Sequence, residues 1–201
     1  SPKKIKWPQI QVRLNDGWVD SFESSALFAT TDAERTWAGR VSEWLKEDLS
    51  KGQRLSRTFS TEALDPYASF NKLPTCQDSK EEKEVCLKEA SKIVVLVNEM
   101  CASMCDIFAS TIRDNKLGTI IGAKTMGAGG NVVMHAASPV SMIMLQQTES
   151  LIVDAAGNYL ENMGVEPDIA TNTVNDRQKL YSATLEKAFE TLAQVPAATP
   201  A

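Results

Sequence analysis

The stretch from residue 93 to residue 122 constrains the fold of this chain more than any other. Ile93-Val94-Val95-Leu96-Val97 is a continuous apolar run of strand length. Residues 98–103 are mostly small or polar, and Ser103–Asn115 then places Ile107, Phe108, Thr111 and Ile112 at helical spacing. Gly118-Thr119-Ile120-Ile121-Gly122 is a second strand-like run. A strand that gives way to a helix and then to another strand within about 30 residues is a βαβ unit, whose two strands lie parallel. Apolar runs without alternation belong to strands buried on both faces of such a sheet.

Where the first strand turns into the helix, the sequence reads Val97-Asn98-Glu99-Met100-Cys101-Ala102-Ser103-Met104-Cys105-Asp106. A serine at an abrupt strand-to-helix turn is the usual mount for a nucleophile. The turn lifts the hydroxyl out of the sheet, and the helix N-terminus offers backbone N–H groups to an oxyanion. Ser103 is the candidate nucleophile and the Met104 amide a candidate oxyanion donor. A serine at this place also reads as an ordinary helix N-cap, and the flanking glycines of the hydrolase motif are missing.

The remainder of the chain is ordinary for a globular protein. Residues 1–30 read as irregular to extended, with partial strand character from Ile5 to Leu14 interrupted by Pro8. Thr31-Asp32 caps a helix carrying Trp37, Val41, Trp44, Leu45 and Leu49, and Gly52 stops it. Residues 52–78 are rich in turns, and 78–90 form a charged, helical surface segment. After the βαβ unit come a glycine-rich loop, strand-like runs at 131–136, 141–148 and 151–153, a turn at 154–158 and an irregular segment, 159–169. A final amphipathic helix over 176–194 uses Leu180, Leu185, Phe189 and Leu192.

A net charge of −5 without basic runs argues against nucleic acid as the main partner. No apolar run approaches the roughly 20 residues that span a bilayer. Four cysteines stand at 76, 86, 101 and 105. A bridge between Cys76 and Cys86 would close a short surface loop and suit an exported protein. Without a CxxC pair, and with His135 as the one histidine, no metal site and no cofactor are expected. A thiol of Cys101 or Cys105 is a rival nucleophile to Ser103.

Three further candidates for chemistry stand out. Lys124-Thr125-Met126-Gly127-Ala128-Gly129-Gly130 could cradle a phosphate, but it lacks Walker spacing and reads as a tight turn with close backbone approach. Glu161 lies among apolar residues in Tyr159–Asp168 and could orient a catalytic histidine. Glu166 and Asp168 flank Pro167 and read as turn chemistry. A serine needs a base, and His135 sits downstream on a strand-like run.

Taken in order, the 93–115 segment, the glycine-rich segment 118–130 and Leu160-Glu-Asn-Met-Gly-Val-Glu-Pro-Asp-Ile169 resemble the tail-specific, C-terminal-processing serine peptidases of family S41. The resemblance covers residues 91–190. It implies an α/β fold, the ClpP/crotonase-like spiral in its C-terminal half, and peptide-bond hydrolysis through an acyl-enzyme. The serine–lysine variant of the family would need a lysine at position 128, which is Ala128. The Ser-His-Glu variant, and within it the type of the chlamydial protease-like activity factor, matches better. That variant makes Ser103 the nucleophile, Glu161 the residue that orients the histidine and Met104 an oxyanion donor. Its histidine lies upstream of the serine, and residues 1–90 contain none.

The expectation is therefore a chain that supplies serine and glutamate while an N-terminal portion of the same protease supplies the base. Residues 1–90 would be a linker or accessory helical segment, 91–194 the C-terminal part of the catalytic domain and 195–201 a flexible tail. Partners would be that N-terminal portion and protein or peptide substrates, with self-association left open. Location would be periplasmic or extracellular, with no signal peptide at Ser1-Pro2-Lys3-Lys4. The rival of another class is a non-catalytic peptide-binding pseudo-peptidase or interaction module.

Overall fold

The computed structural model describes residues 6–60, 93–171 and 177–194. These residues form β1 (Gln9–Val12), α1 (Asp16–Phe28), α2 (Asp32–Ser50), β2 (Phe59–Ser60), β3 (Val94–Val97) and α3 (Met104–Asn115). Then come β4 (Thr119–Gly122), β5 (Val132–Met134), β6 (Gln146–Thr148), β7 (Ser150–Val153), β8 (Ile169–Ala170) and α4 (Arg177–Gln194). The chain divides into two units: residues 93–129, 160–171 and 177–194, with Lys6, make one, and 7–60 with 130–159 make the other. The boundary expected near residue 90, the Cys76–Cys86 pair and the charged segment 78–90 lie outside the described residues.

The first unit is built on the expected βαβ element. β3 and β4 run parallel with Val94 opposite Thr119 and Val97 opposite Gly122, and β8 adds a third parallel strand beside β4. β4 is the central strand, and Ile120 and Ile121 are fully buried. β3 departs from the expectation of burial on both faces: Leu96 is 40% exposed. The reason is its place in the sheet, with one strand neighbour among the described residues.

α3 begins and ends where the sequence places it, but only part of its expected face turns inward: Thr111 and Ile112 do, and Phe108 does not. Asp106, Ala109, Ser110, Thr111, Ile112 and Asn115 are buried, whereas Phe108 is 53% exposed. The inward stripe is small and polar because the helix lies close on the strand and its polar groups are used. The Asn115 side-chain amide donates to the carbonyls of Lys6 and Thr111 at 2.8 and 2.9 Å and accepts the Lys6 N–H at 2.7 Å. Lys116, in the left-handed region at φ 54°, ends the helix. In α4, Thr184 and Ala188 are buried while Phe189 is exposed, so this helix presents another face than its large apolar residues suggest.

In the second unit, α2 starts as expected. Thr31 Oγ1 accepts the Glu34 N–H at 3.1 Å and the Glu34 carboxylate reaches back to the Thr30 N–H at 3.0 Å, a variant of the capping box. α1 was not expected. Asn15 caps it through the Trp18 N–H at 3.1 Å, but Gly17 and Ser24-Ser25 weaken the local helical signal. Packing supplies what propensity lacks: Phe22 lies between Trp18, Trp37 and Phe59 with ring centroids 5.5–6.1 Å away. β1 starts just after Pro8 and pairs antiparallel with both β2 and β7. The strand-like runs at 131–136 and 141–148 shorten to β5 and β6, because residues 138–142 form a turn closed by the Met142 N–H on the Ser138 carbonyl.

A buried acid ties the C-terminal turn of α2 to the chain that follows it. Asp48 is 2% exposed and accepts from the Arg57 backbone N–H at 2.9 Å and from the Arg57 guanidinium at 2.6 Å. The guanidinium hydrogen bond, opposed in part by burial, holds the Asp48 carboxyl below the usual carboxylate range. A depressed folded value gives stability that is full above the unfolded value near pH 4, about 3.9, and is lost as pH falls through the lower folded value. Arg57→Met removes the partner and leaves the carboxyl buried. Acid unfolding of this variant, followed by circular dichroism, should begin at a higher pH than in the parent, and an unchanged acid midpoint would contradict this account.

Candidate active site

Ser103 stands at the N-cap position of α3 with φ 58° and ψ −123°, a combination that non-glycine residues rarely adopt. A residue held there costs on the order of 1–3 kcal/mol and persists only where its surroundings determine it. An N-cap serine would sit at extended angles and return its hydroxyl to the helix. Ser103 does neither: it makes no capping hydrogen bond, and it is exposed. The Ser103 backbone is that of a strained turn, not of a side-chain-capped helix start.

The elbow is locked from several sides. Asn98 Oδ1 accepts the Met100 N–H at 2.9 Å and the Asn98 carbonyl accepts the Cys101 N–H at 3.0 Å, which bends the chain out of β3. The Ser103 N–H donates to the Ala128 carbonyl at 3.0 Å and the Met126 N–H to the Cys101 carbonyl at 2.9 Å. Asp106, fully buried one turn into α3, accepts the Gly127 and Ala128 N–H groups at 3.0 and 2.9 Å. The glycine-rich loop is thus clamped to the elbow by one carboxylate, and its Thr125, Met126, Gly127 and Ala128 amides are engaged by protein rather than offered to a phosphate. An acid in the first turn of the helix, three residues after the serine, was the available signal for this role. The Met104 N–H, at the positive end of α3, has no acceptor among the described residues.

The Glu161 segment is joined to the same loop. The Asn162 N–H donates to the Gly127 carbonyl at 2.8 Å, and the Thr125 N–H donates to the Val165 carbonyl at 3.1 Å while Thr125 Oγ1 accepts the Val165 N–H at 2.7 Å. Ser103 and Glu161 therefore belong to one hydrogen-bonded assembly of three segments. Glu161 is half-buried, in the turn after Leu160, which is 1% exposed. Asp168, read as turn chemistry, instead accepts the Ile120 N–H at 2.8 Å and ties the segment to β4. Lys124 pairs with Glu166 at 3.0 Å. His135 is exposed and falls in the other unit.

Two further features surround the elbow. Cys101 and Cys105 form a disulfide across it, which removes both thiols as nucleophiles in this state. A cleft of about 550 Å³ opens beside it, lined in part by Leu96, Met100, Ala102, Cys105, Tyr181 and Thr184. Such a volume suits a side chain or small ligand.

The approach between loop and segment leaves no room for a side chain. A Cβ on Gly127, at φ 71°, would meet Gly164 N and Leu160 O at 2.5 Å. Gly127→Ala should destabilise by upward of about 1 kcal/mol in denaturant unfolding. Gly157→Ala, at φ 89° with open space around the new carbon, should lose less. Equal losses would mean that backbone conformation alone, not the approach, sets the cost.

The sequence model of Peptidase family S41 matches residues 37–171. A Chlamydia trachomatis protein is 39% identical over 108 residues, which are 51% of this chain and 18% of that one. A probable CtpA-like serine protease of Staphylococcus epidermidis is 32% identical over 89 residues, 43% of this chain and 18% of the other. The structure of mature CPAF complexed with lactacystin superposes with a TM-score of 0.65 at 24% identity, covering 96% of this chain and 39% of that one. The chain spans about a fifth of the length of these curated relatives. With the family model covering most of its length and an α/β fold shared with mature CPAF, the chain belongs to peptidase family S41.

Proposed function

We propose that this chain carries the nucleophile of a serine endopeptidase that works through an acyl-enzyme of the Ser-His-Glu type. The observation that carries the proposal is the backbone of Ser103, at φ 58° and ψ −123° and without a capping bond. Ser103 Oγ attacks the scissile carbonyl and the Met104 N–H receives the developing oxyanion. Glu161 orients a histidine that takes the serine proton and returns it to the leaving amine. That histidine comes from an N-terminal portion of the same protease rather than from His135, which falls downstream of the serine in the sequence. The apolar part of the cleft beside the elbow receives a substrate side chain. The Cys101–Cys105 bridge favours an oxidising, exported location, and no described helix is long and apolar enough to cross a membrane.

In the assembled protease, Ser103→Ala should reduce peptide hydrolysis on the order of a millionfold, as loss of a triad nucleophile does. A fluorophosphonate probe should label Ser103 when the histidine-bearing portion is present and leave the isolated chain almost unlabelled. Full hydrolysis by the Ser103→Ala protein would sink the proposal. Binding of peptides without turnover in the assembled protein would point to a pseudo-peptidase instead.

A further inference from the structure

We infer that the Cys101–Cys105 disulfide is the positioning element that holds the Ser103 elbow in its attacking geometry, so that this geometry depends on the oxidation state of the pair. The inference rests on the reading of Ser103 as nucleophile for its catalytic consequence, but not for its structural part. The bridge spans Ala102, Ser103 and Met104, with its two Cα atoms 5.2 Å apart and a sequence separation of 4. Its enclosed segment contains the one residue of the elbow at positive φ.

The two ends of the bridge differ in a way that matters. Cys101 is 6% exposed and fixed through its backbone: its N–H donates to the Asn98 carbonyl and its carbonyl accepts the Met126 N–H. Cys105 is exposed on the first turn of α3 and lines the cleft. The disulfide therefore ties the exposed first turn of α3 to a buried strand exit. A loop this short restricts the unfolded chain far less than a long one would, so the contribution to global stability is small and the effect is local. What remains is control of three residues, one of which pays strain to stay where it is.

The exposed end also makes the bridge reducible. A thiolate of a dithiol such as dithiothreitol attacks the Cys105 sulfur, the Cys101–Cys105 bond breaks, and Cys101 leaves as a thiolate that takes a proton from water. The second thiol of the reagent then displaces Cys105, which is released as a thiol, and the reagent ends as its cyclic disulfide. Two electrons pass from dithiol to protein, and nothing else is consumed. With the bond open, Ser103 is restrained by its Ala128 hydrogen bond and the neighbouring turn contacts, and the strain at φ 58° favours relaxation toward common backbone angles.

Hydrogen exchange on the full chain, with and without dithiothreitol, tests the structural part. The Ser103 and Met126 amides should exchange about tenfold faster or more after reduction, while α2 amides keep their protection. A Cys101→Ala/Cys105→Ala variant should exchange at the reduced rate and ignore the reagent. Equal elbow exchange in both states would overturn the inference. So would a response retained by the double variant, which would place the effect in another cysteine pair, or a loss of protection that extends to α2. In the assembled protease, fluorophosphonate labelling of Ser103 should fall about tenfold on reduction and recover on reoxidation. Labelling that does not change would overturn the link to the nucleophile. No labelling in either state, with elbow exchange still redox-dependent, would refute the peptidase reading and leave the disulfide as the element that positions the elbow.

Discussion

The Asp106 carboxylate, buried at the first turn of α3 and accepting two consecutive amides of the glycine-rich loop, is the interaction on which the site depends. A buried carboxylate without donors would be costly, and hydrogen bonds to charged groups contribute about 1.5–3 kcal/mol each. Here both oxygens are answered by backbone N–H groups, so this carboxylate holds the loop without engaging a loop side chain. With Gly127 and Ala128 in place, the Ala128 carbonyl meets the Ser103 N–H and the Gly127 carbonyl meets the Asn162 N–H. Three segments distant in sequence, those of the serine, the loop and Glu161, meet at the loop that this acid holds.

The parts of this arrangement that are local could be read from the sequence. The βαβ unit follows from the change of hydrophobic period between Ile93 and Gly122, and the parallel register of β3 and β4 is its consequence. The start of α2 follows from Thr31 and Glu34. The position of the serine at the strand-to-helix turn was legible as well, together with its ambiguity. Only backbone angles could separate a cap from an elbow, because the same residue type serves both.

What was not legible depended on partners distant in sequence. α1 is held by Phe22 among Trp37 and Phe59, residues that its own segment does not contain. The inward stripe of α3 is partly polar because Asp106 and Asn115 answer backbone groups of the loop and of Lys6, so apolar spacing found Thr111 and Ile112 but also pointed to Phe108, which is exposed. The pairing of Cys101 with Cys105 was hidden for a similar reason. Cys101 precedes α3 and Cys105 lies within it, so no single regular period relates the two, and their approach is set by the irregular turn at 98–103.

The positive φ of Ser103 has a consequence for when the chain acquires chemical competence. That angle is sustained by the exit of β3, by the carbonyl of Ala128 and by the bridge across the turn. Each of these exists only once a different stretch of chain has been placed. The proposed nucleophile is therefore a property of the finished assembly. A serine mounted in this way takes up its strained, exposed position by conformation alone, and only after the segments that hold it are in place.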